Sequence, residues 1–95
     1  MYYVYILYSK QLEGYYIGQT VNVEKRLREH NEGKKKRYTT PYRPWEMYWF
    51  IKLKTRSASM RLEKYLKKKS RKFISRLRND DELQNYIKVR FDIPG

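Results

Sequence analysis

The sequence predicts an α/β domain of the α+β type, in which a small three-stranded antiparallel or mixed sheet is flanked by helices. Three short runs rich in aromatic and β-branched residues, at 2–8, 15–18 and 45–53, have the character of strands. The segments between and after them carry apolar residues at helical spacing. The chain has 95 residues, which is enough for one domain, so we expect residues 1–95 to fold as a single domain.

The first two strands are joined by the turn-rich segment SKQLEG and should form an antiparallel hairpin. The first strand, 2–8, contains neither Gly nor Pro, and the second, 15–18, follows directly after the turn. Folding about this short connection places Tyr5 and Tyr16 nearly opposite each other, within about two residues of register. The hairpin therefore brings two phenol groups to the same part of the sheet.

A short amphipathic helix is expected at 23–31. Asn22 is a favourable N-cap, and Gly33 is a favourable terminator. Val23 and Leu27 are four residues apart and form an apolar pair on one face of this helix.

The third strand, 45–53, follows a basic loop at 34–44 that contains two prolines. Strict alternation predicts one shared face for Trp45, Met47, Trp49, Ile51 and Leu53. Tyr48 and Phe50 would then lie on the other face, so the strand is apolar on both sides. Strands of this kind are usually central and covered on both faces, and we therefore expect this strand in the middle of the sheet.

The C-terminal part of the chain is expected to be helical, with Ser57 and Ser70 as candidate N-caps of a second and a third helix. The residues expected to point inward from these two helices are Ala58, Leu62, Tyr65, Leu66, Lys69, Phe73, Ile74 and Leu77. A short final helix is expected in the tail. The residues it would direct inward are Leu83, Tyr86 and Ile87. We treat residues 2–78 as the core of the domain and residues 79–95 as a C-terminal extension.

Charge is the most unusual feature of the composition. The chain contains 23 Lys and Arg against 10 Asp and Glu, which gives a formal net charge of +13. Because this much self-repulsion opposes compaction unless a polyanion is near, nucleic acid is the first candidate partner and an anionic membrane surface the second. No apolar run is long enough to span a membrane, and the N-terminus lacks the pattern of a signal peptide. Cysteine is absent, which excludes disulfides and zinc–thiolate sites, and we expect a cytoplasmic protein.

Taken one at a time, the residues that could do chemistry have ordinary structural explanations. Arg26 and His30, four residues apart on the first helix, would usually be solvated surface groups. Glu63 would form an ion pair with Lys67 one turn later on the second helix. The two hairpin tyrosines would pack against each other across the strands.

Taken together and in this order, these segments resemble the GIY-YIG nuclease superfamily. VYI at 4–6 stands where members carry the first tripeptide, and YIG at 16–18 matches the second. NVEKRLREH supplies the family's helix with Arg26 and His30. SASMRLEKYLKKKSRK resembles the helix that bears a metal-binding glutamate, here Glu63.

The resemblance covers about residues 2–78 and is greatest to small stand-alone members, which share this domain with the excision-repair nuclease that incises damaged DNA. The chain departs from the family pattern in two places. Tyr3 stands where many members have Gly. Many members also carry an Asn after the glutamate helix, but the residues around Ser70 offer none, and neither Asn79 nor Asn85 is assigned that role.

The resemblance implies a site for phosphodiester hydrolysis. Tyr5 would orient or deprotonate the attacking water, which requires nearby positive charge to lower its pKa, and His30 would receive the proton or hold Tyr5 in place. Tyr16 would hydrogen-bond the scissile phosphate, and the planar guanidinium of Arg26 suits two phosphate oxygens. Glu63 would hold one Mg²⁺ or Mn²⁺, because such an ion takes its remaining ligands from water and phosphate. No small-molecule cofactor is expected.

Further residues are assigned to nucleic acid binding. Gly18 would let the backbone approach a phosphate, or it would simply end its strand. The cationic residues expected to contact the flanking phosphate backbone are Lys34, Lys35, Lys36, Arg37, Arg43, Lys67 and Lys68. Tyr38 and Tyr42 are candidates for stacking on unpaired bases, whereas Trp45 is expected to pack in the core.

The leading hypothesis is a small metal-dependent endonuclease that cleaves DNA with low intrinsic sequence specificity. Single-stranded or branched DNA is the candidate substrate, in DNA repair or recombination, and RNA remains an open alternative. Two other hypotheses need no cleavage: a nucleic-acid-binding module that has kept the fold, and a basic adaptor that docks on RNA–protein particles. Metal-dependent cleavage would separate the first hypothesis from the other two.

Overall fold

The computed structural model describes residues 1–33 and 38–93 and contains a three-stranded antiparallel sheet with helices on both faces. The predicted fold class is therefore confirmed. The elements in chain order are β1 (Tyr2–Ser9), β2 (Gly14–Thr20), α1 (Val23–Glu32), a 3₁₀ turn (Thr40–Tyr42), β3 (Trp45–Leu53), α2 (Arg56–Lys67), α3 (Arg71–Arg76) and α4 (Asp81–Arg90). Among the described residues, no helix has the length and apolar character needed to cross a membrane.

The sheet has the order β2-β1-β3, so β1 is the central strand. In the β1–β2 hairpin, Tyr5 lies opposite Gly18, and Leu7 lies opposite Tyr16. Tyr5 and Tyr16 are therefore two positions apart on the same face, as the hairpin argument predicts. The expectation that β3 is central is wrong, because it is β1 whose residues are fully buried on both faces of the sheet.

A β-bulge in β3 explains why that strand is apolar on both sides. The pairing of β1 with β3 shifts register after Ile6, and Tyr48 is the extra residue of β3. The bulge reverses the alternation of side chains along β3. Trp45 and Met47, before the bulge, pack on the α1 side of the sheet with Leu7. The residues of β3 after the bulge that pack on the other side are Trp49, Ile51 and Leu53. The prediction of one shared face is thus wrong.

The larger core lies between the sheet and the three C-terminal helices. Its buried residues are Val4, Ile6, Ile51, Leu53, Leu62, Leu66, Ile74, Leu77, Leu83 and Ile87. The C-terminal extension contributes Leu83 and Ile87 of α4 to this core. Two residues predicted to point inward do not, since Tyr86 is half exposed and Lys69 is exposed on the surface.

The helix ends follow local capping chemistry. The side chain of Asn22 accepts a hydrogen bond from the backbone of Lys25, and Gly33 ends α1 in a left-handed conformation with φ of 73°. Ser70 caps α3 as predicted. The N-cap of α2 is Thr55 and not Ser57, because helix α2 begins one residue before Ser57. Helix α1 and the 3₁₀ turn pack on the second face of the sheet, over a smaller core.

Candidate functional site

Tyr5 lies on the face of the sheet that packs against α1, and its side chain is completely buried. Its hydroxyl oxygen lies 3.4 Å from Nε of Arg26 and 3.0 Å from Nε2 of His30. A guanidinium is always protonated and can only donate. Tyr5 therefore accepts a hydrogen bond from Arg26, and we assign its own hydroxyl proton to the bond with His30.

His30 is almost fully buried and is held from its other side by Thr39. Nδ1 of His30 lies 3.0 Å from the hydroxyl oxygen of Thr39. With the phenol proton assigned to the bond with Nε2, the neutral imidazole would carry its proton on Nδ1 and donate it to Thr39. The hydrogen bonds connect Arg26, Tyr5, His30 and Thr39 in one chain.

Thr39 belongs to the site, although no sequence pattern indicates it. Thr39 is fully buried, and its backbone carbonyl accepts a 2.8 Å hydrogen bond from the indole of Trp45. It lies just before the 3₁₀ turn, in a segment that has no periodic pattern. No local signal in the sequence distinguishes it from its neighbour Thr40. The burial of Trp45 confirms the prediction that this residue packs in the core.

Gly18 faces Tyr5 directly across the hairpin. A Cβ atom at this position would lie 2.5 Å from the hydroxyl oxygen of Tyr5, closer than any side chain carbon is tolerated. Strand β2 continues through Thr20, so Gly18 does not end it. Glycine is needed at position 18 because the hydroxyl of Tyr5 occupies the space that a side chain would fill.

Tyr16 lies beside both Tyr5 and His30. Its ring centroid is 6.4 Å from that of Tyr5 and 4.9 Å from that of His30. Unlike Tyr5, it is only partly buried. The hairpin and α1 thus bring together all four residues to which the sequence assigned the chemistry of the site.

Arg26 is also held by Glu29, an acidic residue of its own helix. One of its terminal nitrogens lies 3.4 Å from a carboxylate oxygen of Glu29, one turn later on α1. The hydrogen bond to Tyr5, followed by the pairing with Glu29, raises the pKa of Arg26. The Arg26 side chain remains 29% exposed, so part of the guanidinium is accessible from solvent.

The pKa of Tyr5 moves in the direction opposite to the one that the sequence argument required. Burial of the phenol raises its pKa to about 12. The hydrogen bond from Arg26 lowers it, and Tyr16 and Glu63 raise it further. The positive charge that was expected to dominate is outweighed by desolvation, so Tyr5 is a neutral phenol at neutral pH.

Glu63 lies on α2 close enough for its charge to act on Tyr5. Its carboxylate is mostly buried and forms a 2.8 Å ion pair with Nζ of Lys67. Across residues 1–33 and 38–93, no group of three or more acidic or His side chains is gathered that could hold a metal ion. A single carboxylate nevertheless fits Mg²⁺, which usually binds one or two protein carboxylates and completes its shell with water and substrate phosphate.

The cations assigned to nucleic acid binding are distributed over several surfaces. Lys34, Lys35, Lys36 and Arg37 lie outside the described residues. Arg43 donates hydrogen bonds to the backbone carbonyls of Thr40 and Asn31, at 2.9 and 3.2 Å, and so binds the end of α1. Lys67 is paired with Glu63, and Lys68 is exposed. Their contacts with nucleic acid remain predictions.

Comparison with known proteins identifies the same family as the sequence motifs. The family model of the GIY-YIG catalytic domain matches residues 1–79. The matched segment contains the hairpin, α1 and the whole of α2.

Curated relatives and a solved structure point to one group of small proteins. The UPF0213 protein YazA of Bacillus subtilis is 35% identical over 79% of this chain and 79% of its own length. A UPF0213 protein of Bacillus licheniformis is 42% identical over 60% of this chain, and the match spans 59% of that relative. The solution structure of a UPF0213 protein from Bacillus halodurans superposes with a TM-score of 0.51 at 29% identity, over 88% of this chain and 94% of that one.

Proposed function

Because this chain belongs to the GIY-YIG family, whose catalytic-domain model covers residues 1–79, we propose that it is a metal-dependent endonuclease that hydrolyses phosphodiester bonds in DNA. Membership of a nuclease family implies nucleic acid as the partner. One observation carries the proposal of catalysis. The hydroxyl oxygen of Tyr5 lies 3.4 Å from Nε of Arg26, which can only donate a hydrogen bond, and 3.0 Å from Nε2 of His30, which would accept the phenol proton as the neutral Nδ1–H tautomer.

The hydrogen-bond chain supports a proton relay. With a pKa of about 12, only about one part in 10⁵ of Tyr5 is phenolate at pH 7. A preformed phenolate is therefore too rare to act as the base. In the proposed step, Tyr5 passes its proton to Nε2 of His30 as it takes one from the attacking water, and Thr39 stabilises the resulting imidazolium through Nδ1.

Two side chains are placed to bind the scissile phosphate. Arg26 is partly exposed and has guanidinium donors beyond those that contact Tyr5 and Glu29. Tyr16 is partly buried beside His30, and its hydroxyl would donate to a phosphoryl oxygen. Both groups would hold the phosphate next to the oxygen of Tyr5, where the attacking water must lie.

Glu63 is the residue that would hold the divalent cation. When bound, Mg²⁺ or Mn²⁺ supplies Lewis-acid stabilisation of the negative charge on the phosphoryl and leaving oxygens. The contribution of this chain is a carboxylate that is mostly buried, so that it is partly desolvated before metal enters. Binding of the cation would have to compete with Lys67.

The substrate preference follows from the kinds of contact available. Lysine and arginine contacts to phosphates carry no sequence information, so we propose low intrinsic sequence specificity. An exposed Tyr38, whose ring lies beside that of Tyr42, offers a surface for unpaired bases. Single-stranded or branched DNA is therefore the proposed substrate, and a place in repair or recombination would follow from it.

The test is cleavage of labelled supercoiled, single-stranded and branched DNA in Mg²⁺, in Mn²⁺ and in EDTA. We expect metal-dependent cleavage that is lost in Tyr5→Phe, Arg26→Ala and Glu63→Gln, while DNA binding is largely kept. Tight binding without cleavage of any substrate in either metal would overturn the proposal.

The second candidate function is a nucleic-acid-binding module that does not cleave. The ion pair of Glu63 with Lys67 favours it, because the carboxylate that should hold the metal already has a partner at 2.8 Å. This function predicts a steep fall in affinity with salt and no change in affinity when Mg²⁺ is removed.

A further inference from the structure

A second cationic site lies away from Tyr5, where α2 meets the end of α4. It is an open depression of about 450 Å³. The residues that line it are Arg61, Lys64, Tyr65, Lys68, Lys69, Arg90 and Phe91. We propose that this depression, called here the α2–α4 site, binds the phosphate backbone of the nucleic acid at a distance from the bond that is cut. The inference rests on the proposed function only in taking nucleic acid as the partner.

The α2–α4 site and Glu63 are on opposite sides of α2. In a helix with 3.6 residues per turn, Arg61 and Lys68 lie about 160° and 140° around the axis from Glu63. Lys67, by contrast, is on the same side as Glu63 and is paired with it. The basic residues of α2 therefore contribute to two surfaces, the one beside Glu63 and the α2–α4 site. The helix, which is about 10 Å across, separates these two surfaces.

The positive charge of the α2–α4 site is not balanced by any acidic residue in its lining. Five of the seven lining residues are Lys or Arg, and none is acidic. A neighbouring groove, which also includes Arg61, has one carboxylate in its lining, that of Asp92. Bringing like charges together in this way raises the energy of the free protein, and a bound polyanion would lower it.

Aromatic rings hold two of the cations in place. Nζ of Lys69 lies 4.4 Å from the ring centroid of Tyr65, and the guanidinium carbon of Arg90 lies 4.9 Å from the same centroid. The Tyr65 ring in turn packs edge-on against Phe91. Because two cations already lie over Tyr65, its ring positions charge and is not available for base stacking. The ligand expected here is therefore phosphate rather than a base.

The spacing of the cations matches a nucleic acid strand. Arg61 and Lys64 of α2 and Lys68, the C-cap residue of this helix, follow one another at three- and four-residue intervals. With a rise of 1.5 Å per residue, this row is about 10 Å long. One strand of a duplex presents a phosphate about every 3.4 Å along its axis, so a row bound parallel to that axis would span about three phosphates.

The experiment measures DNA affinity by fluorescence anisotropy in EDTA, where no cleavage occurs. The test variant replaces three cations of the α2–α4 site with glutamine: Arg61→Gln, Lys68→Gln and Arg90→Gln. The matched control replaces three cations elsewhere: Lys10→Gln, Lys52→Gln and Lys88→Gln. Both variants lower the formal net charge from +13 to +10, one charge for each of three substitutions. A second test variant, Lys64→Gln with Lys68→Gln, changes only exposed residues, and circular dichroism checks that each variant is folded.

We expect the triple variant of the α2–α4 site to lose about 10- to 100-fold in affinity for a labelled duplex near physiological salt, and its slope of log affinity against log salt to fall by about 2 to 3. The control should change affinity far less. Equal losses in the two triple variants would overturn the inference. So would a loss of binding to phosphatidylserine vesicles with DNA binding at the level of the control, because the site would then serve a membrane surface. Since cleavage plays no part in the readout, failure of the proposed nuclease activity leaves this result unaffected.

Discussion

The hydroxyl of Tyr5 lies directly against the backbone of Gly18, its partner in the hairpin register. The contact makes the two halves of the hairpin interdependent. Tyr5 reaches Arg26 and His30 only because nothing projects from position 18. A side chain there would displace the phenol from both hydrogen bonds.

Gly18→Ala tests this relationship. The added Cβ would lie 2.5 Å from the Tyr5 oxygen, and we expect a loss of about 1–3 kcal/mol in the free energy of unfolding, measured by urea denaturation, as is typical of overpacking. Gly14→Ala is the control, because its Cβ would come no closer than 3.4 Å to the Leu12 side chain. Equal stability of the two variants would show that Tyr5 is not fixed against Gly18.

Tyr5→Phe isolates the hydroxyl from the ring. The ring keeps its packing in the smaller core, while the proposed relay loses the hydroxyl that would take the proton from the attacking water. We expect DNA cleavage to fall by about 10²- to 10⁴-fold, the usual contribution of a general base. Tyr3→Phe is the control, since Tyr3 is on the same strand and face but packs against Phe50. Cleavage by Tyr5→Phe at the rate of Tyr3→Phe would remove Tyr5 from the mechanism.

The raised pKa of Tyr5 predicts how stability depends on pH. An unfolded tyrosine has a pKa near 10, and burial raises that of Tyr5 to about 12. The folded state therefore holds the phenol proton more tightly than the unfolded state does. The stability that this difference contributes is fully present below pH 10 and is lost as pH rises through 12. We expect the free energy of unfolding to fall between pH 10 and pH 12, by up to about 2–3 kcal/mol from Tyr5.

The matching measurement compares wild type with Tyr5→Phe by denaturation over this pH range. Tyr15 must be treated in parallel, because burial and the hydroxyl of Tyr48 also raise its pKa to about 12. Tyr15→Phe therefore serves as the reference variant. If removing the Tyr5 hydroxyl leaves the pH profile of wild type unchanged, the phenol is not desolvated as described.

Thr39 is expected to position His30. In Thr39→Val the shape is kept, but the imidazole Nδ1 loses the oxygen that lies 3.0 Å away. Loss of this buried hydrogen bond should cost about 0.5–1.5 kcal/mol in stability and should change the pH profile of cleavage. Thr39→Ser restores the hydroxyl and should restore the profile. Failure of serine to rescue it would mean that Thr39 acts only through packing.

The hairpin and α1 could be read from the sequence because their signals are local. Alternation and turn chemistry fix the hairpin, and helical spacing places Arg26 beside His30. The grouping of Tyr5 with Arg26 and His30 came from the resemblance to the GIY-YIG family, because the local pattern alone predicts that the two helix residues are solvated surface groups.

Other features depend on contacts between distant segments and gave no local signal. The bulge at Tyr48 breaks an alternation that is regular in the sequence, so the faces of β3 were assigned incorrectly. Thr39 joins the site only because the chain places it against His30 of α1, nine residues earlier in the sequence. The direction in which the pKa of Tyr5 shifts depends on burial, which the count of neighbouring cations does not reveal.

The pairing of Glu63 with Lys67 predicts how the metal requirement responds to mutation. The ion pair is partly exposed, on the Lys67 side above all, and pairs of this kind contribute up to about 1 kcal/mol. Lys67→Gln should therefore lower the Mn²⁺ concentration for half-saturation by about two- to fivefold, measured by calorimetry without DNA. Glu63→Gln should abolish that binding, and Lys72→Gln, which removes the same charge from α3, should leave it unchanged. Mn²⁺ binding that survives Glu63→Gln would place the cation elsewhere, because Glu63 is the only acidic residue on α2.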